Sequence, residues 1–152
     1  NILALLQTML LKNILVPFDL SNKSFHAFKI ALDKEKKYDS KITILTCIQV
    51  DTWHHKFYDS RADAELLKKQ KKAIIPHIEK LENLANKSNI TMKSQILRSI
   101  SVVKDITTYA KSRKFDLIVM GSHGRTGMDK LILGSVANGV LQKSSCPVLI
   151  IK

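Results

Sequence analysis

Between Gly121 and Val136 the chain gathers small residues, hydroxyls and cations. Gly121, Ser122, His123, Gly124, Arg125, Thr126 and Gly127 form one group, and Gly134, Ser135 and Val136 follow. Glycines carry no Cβ, so their main-chain N–H groups can approach an anion closely. A helix opening at Gly134-Ser135 adds unpaired N–H groups and the positive end of its dipole. The chemistry that suits such a stretch is the holding of phosphate. A glycine-rich turn can also serve only to join a strand to a helix, so the loop alone does not decide.

The single residues divide in the same way. His123 is the catalytic candidate, but no carboxylate is identifiable to orient it as a general base, and a solvent-facing loop histidine is the plainer reading. Arg125 can neutralise phosphate charge or stay solvated. Ser135 can cap the helix while facing a ligand. Asp19, in Asp19-Leu-Ser-Asn22, is a turn or capping residue that can also face a ligand. His54-His55 lacks a third metal ligand, and adjacent residues of an extended segment point to opposite sides; no metal site is expected. Lys68, Lys69, Lys71 and Lys72 read as a solvated helix face, because no aromatic platform or nucleic-acid motif accompanies them. Cys47 and Cys146 read as core or structural residues. They form no C-x-x-C, and a reduced, cytoplasmic compartment is expected.

The elements that must position these residues alternate. Apolar runs at 13–18, 41–50 and 117–120 read as buried strands, 90–97 as a more polar strand near an edge, and 147–151 as a last strand. Helical periodicity covers 23–38, with Phe25, Phe28, Ala31 and Leu32 on one face. A long basic helix at 61–87 turns Leu66, Leu67, Ile74, Ile78, Leu81 and Leu84 inward, with Pro76 expected to kink or divide it. Further helices are expected at 99–114, burying Val102, Val103, Ile106, Tyr109 and Ala110, and at 135–143. The segment 51–60, with Trp53, Phe57 and Tyr58, reads as a long loop. The pattern gives an α/β fold: an open five-stranded parallel sheet of order 3-2-1-4-5 with helices on both faces. Ligands bind such sheets beyond the strand ends where the order reverses, here between strands one and four. The loops at 16–21 and 121–127 meet there. No G-x-x-x-x-G-K-[ST] is present, and no G-x-G-x-x-G follows the first strand, which disfavours a P-loop ATPase and a dinucleotide dehydrogenase.

Gly121-x-x-Gly124, nine residues and Gly134-Ser135 resemble the G-2x-G-9x-G-[S/T] motif of ATP-binding universal stress proteins. The resemblance extends to Val16-Pro-x-Asp-x-Ser21, to Asp116-Leu-Ile-Val-Met-Gly-Ser-His-Gly-Arg-Thr-Gly127 and to Ser145-Cys-Pro-Val-Leu-Ile-Ile151, covering 11–152. It implies a Rossmann-like, adenine-nucleotide-hydrolase-like fold that binds ATP as a nucleotide-dependent switch or sensor in the stress response. Pro17 and Asp19 would flank the adenosine, and Cys47 would meet adenine through its backbone. Met120 and Gly121 would line base and ribose. Ser122, His123, Gly124, Arg125 and Thr126 would wrap the phosphates, and Gly134, Ser135 and Val136 would close them. Mg2+ or Mn2+ is expected to bridge the phosphates. A homodimer through Pro147–Ile151 is implied, which would cover an exposed edge strand. Slow ATP hydrolysis or phosphoryl transfer is the rival reading. It needs a positioned base, and none is identifiable, so binding without catalysis is the expectation. Gly139 departs from good helix chemistry and should cost about 1 kcal/mol relative to Ala.

The chain has 152 residues, 45% hydrophobic and 25% charged, with a net charge of +12. This fits one globular domain and favours polyanionic partners, nucleotides among them. The apolar start, 1–11, is too short to span a membrane and lacks a signal-peptide pattern. It reads as an extension ahead of a single domain at 12–152. Met9 can be the natural start, with 1–8 added upstream; a short packing helix is the other reading.

Overall fold

The continuous apolar runs do form the centre of a sheet. The structure, a computed structural model, describes residues 11–38, 40–50, 60–124 and 133–152. The elements are β1 (Asn13–Pro17), α1 (Asn22–Tyr38), β2 (Lys41–Gln49), α2 (Ser60–Lys87), β3 (Met92–Ser99), α3 (Val102–Ser112), β4 (Leu117–Gly121), α4 (Ser135–Lys143) and β5 (Val148–Ile151). The sheet has the order β3-β2-β1-β4-β5, and every pairing is parallel. The more polar β3 lies at an edge.

Side chains alternate across the strands and create two cores. Ile14, Val16, Ile42, Ile44, Leu117 and Val119 pack with Phe28 and Ala31 of α1 and with Leu81 and Ala85 of α2. Leu15, Leu45, Ile118 and Met120 pack on the other face with Ile106 and Ala110 of α3 and with Ala137 and Val140 of α4. Each fully buried aliphatic or aromatic side chain contributes about 1.5–3 kcal/mol.

Several boundaries differ from the sequence pattern, for local reasons. Asn89 at φ 55° and Lys114 at φ 54° end α2 and α3 in left-handed conformations. Ile90 N–H reaches Ala85 C=O and Phe115 N–H reaches Ala110 C=O, the six-to-one bond of a Schellman close. α2 ends at Lys87 as expected, with Asn89 a residue that takes the left-handed conformation readily, whereas Lys114 gives the periodicity no stop signal. α3 is accordingly shorter than 99–114, and β3 continues to Ser99. α2 is not divided at Pro76: Ile74 and Ile78 beside it, and Leu81 and Ala85 beyond it, all remain buried. Leu66, expected inward, is 55% exposed. Gly139 sits where α4 crosses α3. A Cβ there would come within 2.8 Å of Val103 Cγ2, so the glycine serves close helix packing.

Candidate functional site

A proline opens the crevice. Asp116 N–H donates to Asn13 C=O, so the main-chain groups of Asn13, and of Leu15 and Pro17 after it, face β4. Pro17 has no N–H to donate. The β1–β4 ladder stops at Leu15–Ile118, and the two strands separate at the point where the strand order reverses. On the other side of β1, Lys41 N–H donates to Lys12 C=O and Phe18 N–H donates to Leu45 C=O. Odd-numbered residues of β2 therefore face β1. The β1–β2 register ends at Pro17–Leu45. Cys47, two residues further along β2, thus presents an N–H and a C=O side by side beyond the end of β1.

The β1–α1 loop holds Asp19 at the rim. Ser21 N–H donates to Asp19 Oδ1 (3.0 Å), a turn that spans Leu20 at φ 68°. A leucine in this left-handed conformation stores about 1–2 kcal/mol of strain. Within Asp19-Leu-Ser-Asn22 it is Ser21 that caps α1: its Oγ accepts from Ser24 N–H (3.1 Å). With Oδ1 occupied, Asp19 turns Oδ2 toward the glycine loop, where it lies 2.8 Å from an ideal Cβ on Gly124. Asp19 thus joins a turn role to one facing the site.

Gly121 and Gly134 are required by the protein's own packing, in addition to the close anion approach expected of them. A Cβ on Gly121 would stand 2.8 Å from Lys23 Cβ and 3.0 Å from Lys23 C, so its absence lets the first turn of α1 pack on β4. A Cβ on Gly134 would stand 3.0 Å from Ser122 O, which accepts from Gly134 N–H at 2.8 Å. This bond ties the end of β4 to the start of α4. Gly134 is the N-cap residue of α4, without a side-chain capping bond. Ser135 is therefore the first helical residue and not the cap. The first helical bond runs from Asn138 N–H to Gly134 C=O, which leaves the N–H groups of Ser135, Val136 and Ala137 without helical acceptors.

A cavity of about 840 Å3 joins these groups. Pro17, Asp19, Cys47, Met120, Gly121, Ser122, His123, Gly124, Gly134, Ser135 and Val136, the expected site residues among those described, all line it. Arg125, Thr126 and the His54-His55 pair lie outside the described residues. His123 Nδ1 is 3.0 Å from Ser122 Oγ, a hydroxyl buried at the base of the loop. Burial first, and the negative charge of Asp105 second, push the Cys47 thiol up to about 11, so it stays protonated at neutral pH. Its main chain and not its sulfur is available for chemistry. The cavity also has a wall from α2, with Gln70, Ala73, Ile74 and His77, that sequence reasoning missed. Helical periodicity marks the inward face of α2 but not what its flanks border. Among the described residues no group of three His, Cys, Asp or Glu could hold a metal ion. Among them, too, no helix is long and apolar enough to cross a membrane.

The model of the universal stress protein family matches residues 11–152. The chain belongs to the universal stress protein family. This universal stress protein is 30% identical over 145 residues to the universal stress protein MJ0531 of Methanocaldococcus jannaschii, covering 94% of the chain and 83% of that relative. Its fold superposes on the solved structure of MJ0577 from the same organism with a TM-score of 0.84 at 26% identity, covering 94% of the chain and 96% of the other. A universal stress protein solved in complex with cAMP shares the fold at a TM-score of 0.70 and 22% identity, covering 93% and 97% of the two chains.

Proposed function

We propose that this universal stress protein binds ATP in the crevice between β1 and β4 and acts as a nucleotide-dependent switch or sensor in the stress response. One observation carries the reading. Ser135, Val136 and Ala137, whose N–H groups have no helical acceptor, line the same cavity as Cys47, whose main-chain N–H and C=O lie beyond the end of β1 with no main-chain partner among the described residues. The first set suits phosphate oxygens. The second, a donor beside an acceptor, suits the N1 and N6 edge of adenine. In the cAMP complex of its fold-mate an adenine nucleotide is the bound ligand, in line with this reading.

In this reading Pro17 and Asp19 flank the adenosine, and Met120 and Gly121 line the base and ribose. Ser122, His123, Gly124 and Gly134–Val136 meet the phosphates, joined by Arg125 and Thr126 on the strength of the motif. An accompanying Mg2+ or Mn2+ ion would be carried chiefly by phosphate oxygens. Holding is favoured over hydrolysis because His123 Nδ1 lies against the Ser122 hydroxyl (3.0 Å) instead of a carboxylate that would orient it as a base. A homodimer through Pro147–Ile151 fits the position of β5 at the sheet edge, with Leu149 37% exposed. A reducing, cytoplasmic setting agrees with the free thiols of Cys47 and Cys146.

Mass spectrometry of small molecules released from the purified protein tests the proposal. ATP retained unchanged over hours supports a switch. Steady conversion of bound ATP to ADP assigns the protein to the slow hydrolases instead, and protein that neither carries nor takes up an adenine nucleotide refutes the proposal.

A further inference from the structure

The crevice lies beyond the carboxyl ends of the strands, and the opposite end of the sheet carries a different chemistry. Main-chain bonds join its turns into one strip. Lys41 N–H donates to Lys12 C=O, Asp116 N–H to Asn13 C=O, and Ile42 N–H to Thr91 C=O. The strip therefore runs from the turn after α2, across the starts of β2 and β1, to the turn between α3 and β4. Adjacent strands lie about 4.8 Å apart, so it spans about 15 Å from β3 to β4.

The strip is cationic. Among its described residues stand Lys12, Lys41, Lys87, Lys111, Arg113 and Lys114, all exposed, against one carboxylate, Asp116. Asp116 is spent on the main chain: its Oδ2 accepts from Lys12 N–H (3.0 Å) and Asn13 N–H (2.9 Å). Among the described residues none of the six cations pairs with a carboxylate. Lys87 and Lys111 close the last turns of α2 and α3, where a cation complements the helix dipole. Lys12 and Lys41 stand at strand starts, where no helix dipole calls for them.

The strip also carries rings. Tyr109 and Phe115 stack with centroids 5.8 Å apart, and Arg113 Cζ lies 5.8 Å from the Tyr109 centroid. Both rings are half-buried, so each is held by the core and keeps part of its surface in solvent. The left-handed Lys114 and the bond from Phe115 N–H to Ala110 C=O fix the turn that brings Phe115 back onto Tyr109.

We propose that this end of the sheet binds single-stranded nucleic acid. The lysines and the arginine meet phosphates, and an unpaired base stacks against the Tyr109–Phe115–Arg113 group. A duplex offers no unstacked base to these rings. A membrane surface would use the charge alone and leave the recessed rings without a role. A second copy would bring like charge, since the chain carries +12.

The test uses the full chain and a fluorescein-labelled oligothymidylate of about 20 nucleotides, read by fluorescence anisotropy. Binding should saturate, weaken with salt and persist in saturating ATP, whose proposed crevice lies at the other end of the sheet. The variant Lys111→Gln, Arg113→Gln, Lys114→Asn changes exposed residues only, and asparagine suits the left-handed position. It should weaken binding at least about tenfold and reduce the slope of log K against log salt by about 2. Lys68→Gln, Lys71→Gln, Lys72→Gln removes the same charge from α2 and should stay within about threefold of the native chain. Tyr109→Leu keeps an apolar side chain against the core and should lose about 5- to 150-fold through stacking. The proposal is overturned if the oligonucleotide does not bind saturably, or if the α2 variant loses as much as the strip variant. It is also overturned if Tyr109→Leu, melting normally, binds as the native chain does. Equal binding of duplex DNA, polyglutamate or phosphatidylserine vesicles at the same salt overturns it as well, since charge alone would then account for the strip.

Discussion

Ser135→Pro isolates the role of one main-chain donor at the start of α4. Proline at the first helical position suits this backbone, since the preceding Gly134 has φ −59° and ψ 152°, the extended conformation a following proline prefers. The Ser135 N–H has no helical acceptor, because the ladder begins with Asn138 N–H to Gly134 C=O. Among the described residues the fold therefore loses no hydrogen bond, and the fixed proline φ should add about 0.4–1 kcal/mol of stability. The nucleotide loses one charge-assisted bond to a phosphate oxygen, worth about 1.5–3 kcal/mol, or about 10- to 150-fold in affinity. Ser135→Ala keeps the N–H and removes the hydroxyl, so it should cost no more than about 1 kcal/mol. Isothermal titration calorimetry with ATP and with adenosine separates the effects. Ser135→Pro should weaken ATP and leave adenosine unchanged, with melting temperature equal or higher. ATP binding within about twofold of the native chain, in a variant that melts normally, would remove α4 from the phosphate site.

Gly139→Ala should destabilise the protein although alanine is the better helix former. The propensity gain of about 1 kcal/mol is outweighed by an overpacking cost of about 1–3 kcal/mol against Val103, whose β-branched side chain is stiff in a helix. A melting temperature that rises, or one that Val103→Ala added to Gly139→Ala fails to restore, would show that the helices simply move apart. Cys47 should alkylate about 100-fold more slowly at pH 8 than an unperturbed thiol, as its value of about 11 leaves little thiolate. The folded value lies above the ordinary thiol value of 9.0, so Cys47 favours the fold below pH 9 and that contribution is lost as pH rises through about 11. Urea midpoints of the native chain and Cys47→Ala should converge over that window; a constant difference would contradict the assigned burial. Leu149→Arg should convert a native dimer to a monomer in light scattering if β5 pairs across a two-fold axis, and a variant that stays dimeric would place the interface elsewhere.

The sheet order was legible because buried parallel strands are written as apolar runs, and because strand–helix alternation leaves few topologies. Much of the crevice was legible for a related reason: Pro17, Gly121 and Gly134 signal their backbone roles by residue type. What residue type does not carry is the neighbour. Gly121 marks a close approach, but only the fold reveals Lys23 as the atom approached, and Gly139 looks like a defect until Val103 is placed beside it. The left-handed Lys114 shows a different limit, since its conformation is imposed by the Schellman bonds around it. The α2 wall of the cavity was invisible because a helical stripe identifies a buried face and says nothing of what borders its edges.

The central claim is that one adenine nucleotide spans the end of β2 and the start of α4. An 15N-resolved NMR titration with ATP tests it most directly, since the amides concerned are named in advance. The amides of Cys47, Ser122, Ser135, Val136 and Ala137 should move together and saturate at one equivalent, while those of Lys68, Lys71 and Lys72 stay in place. If ATP leaves the Cys47 and Ser135–Ala137 amides unmoved, or shifts the α2 lysines instead, the nucleotide site is not the crevice between β1 and β4.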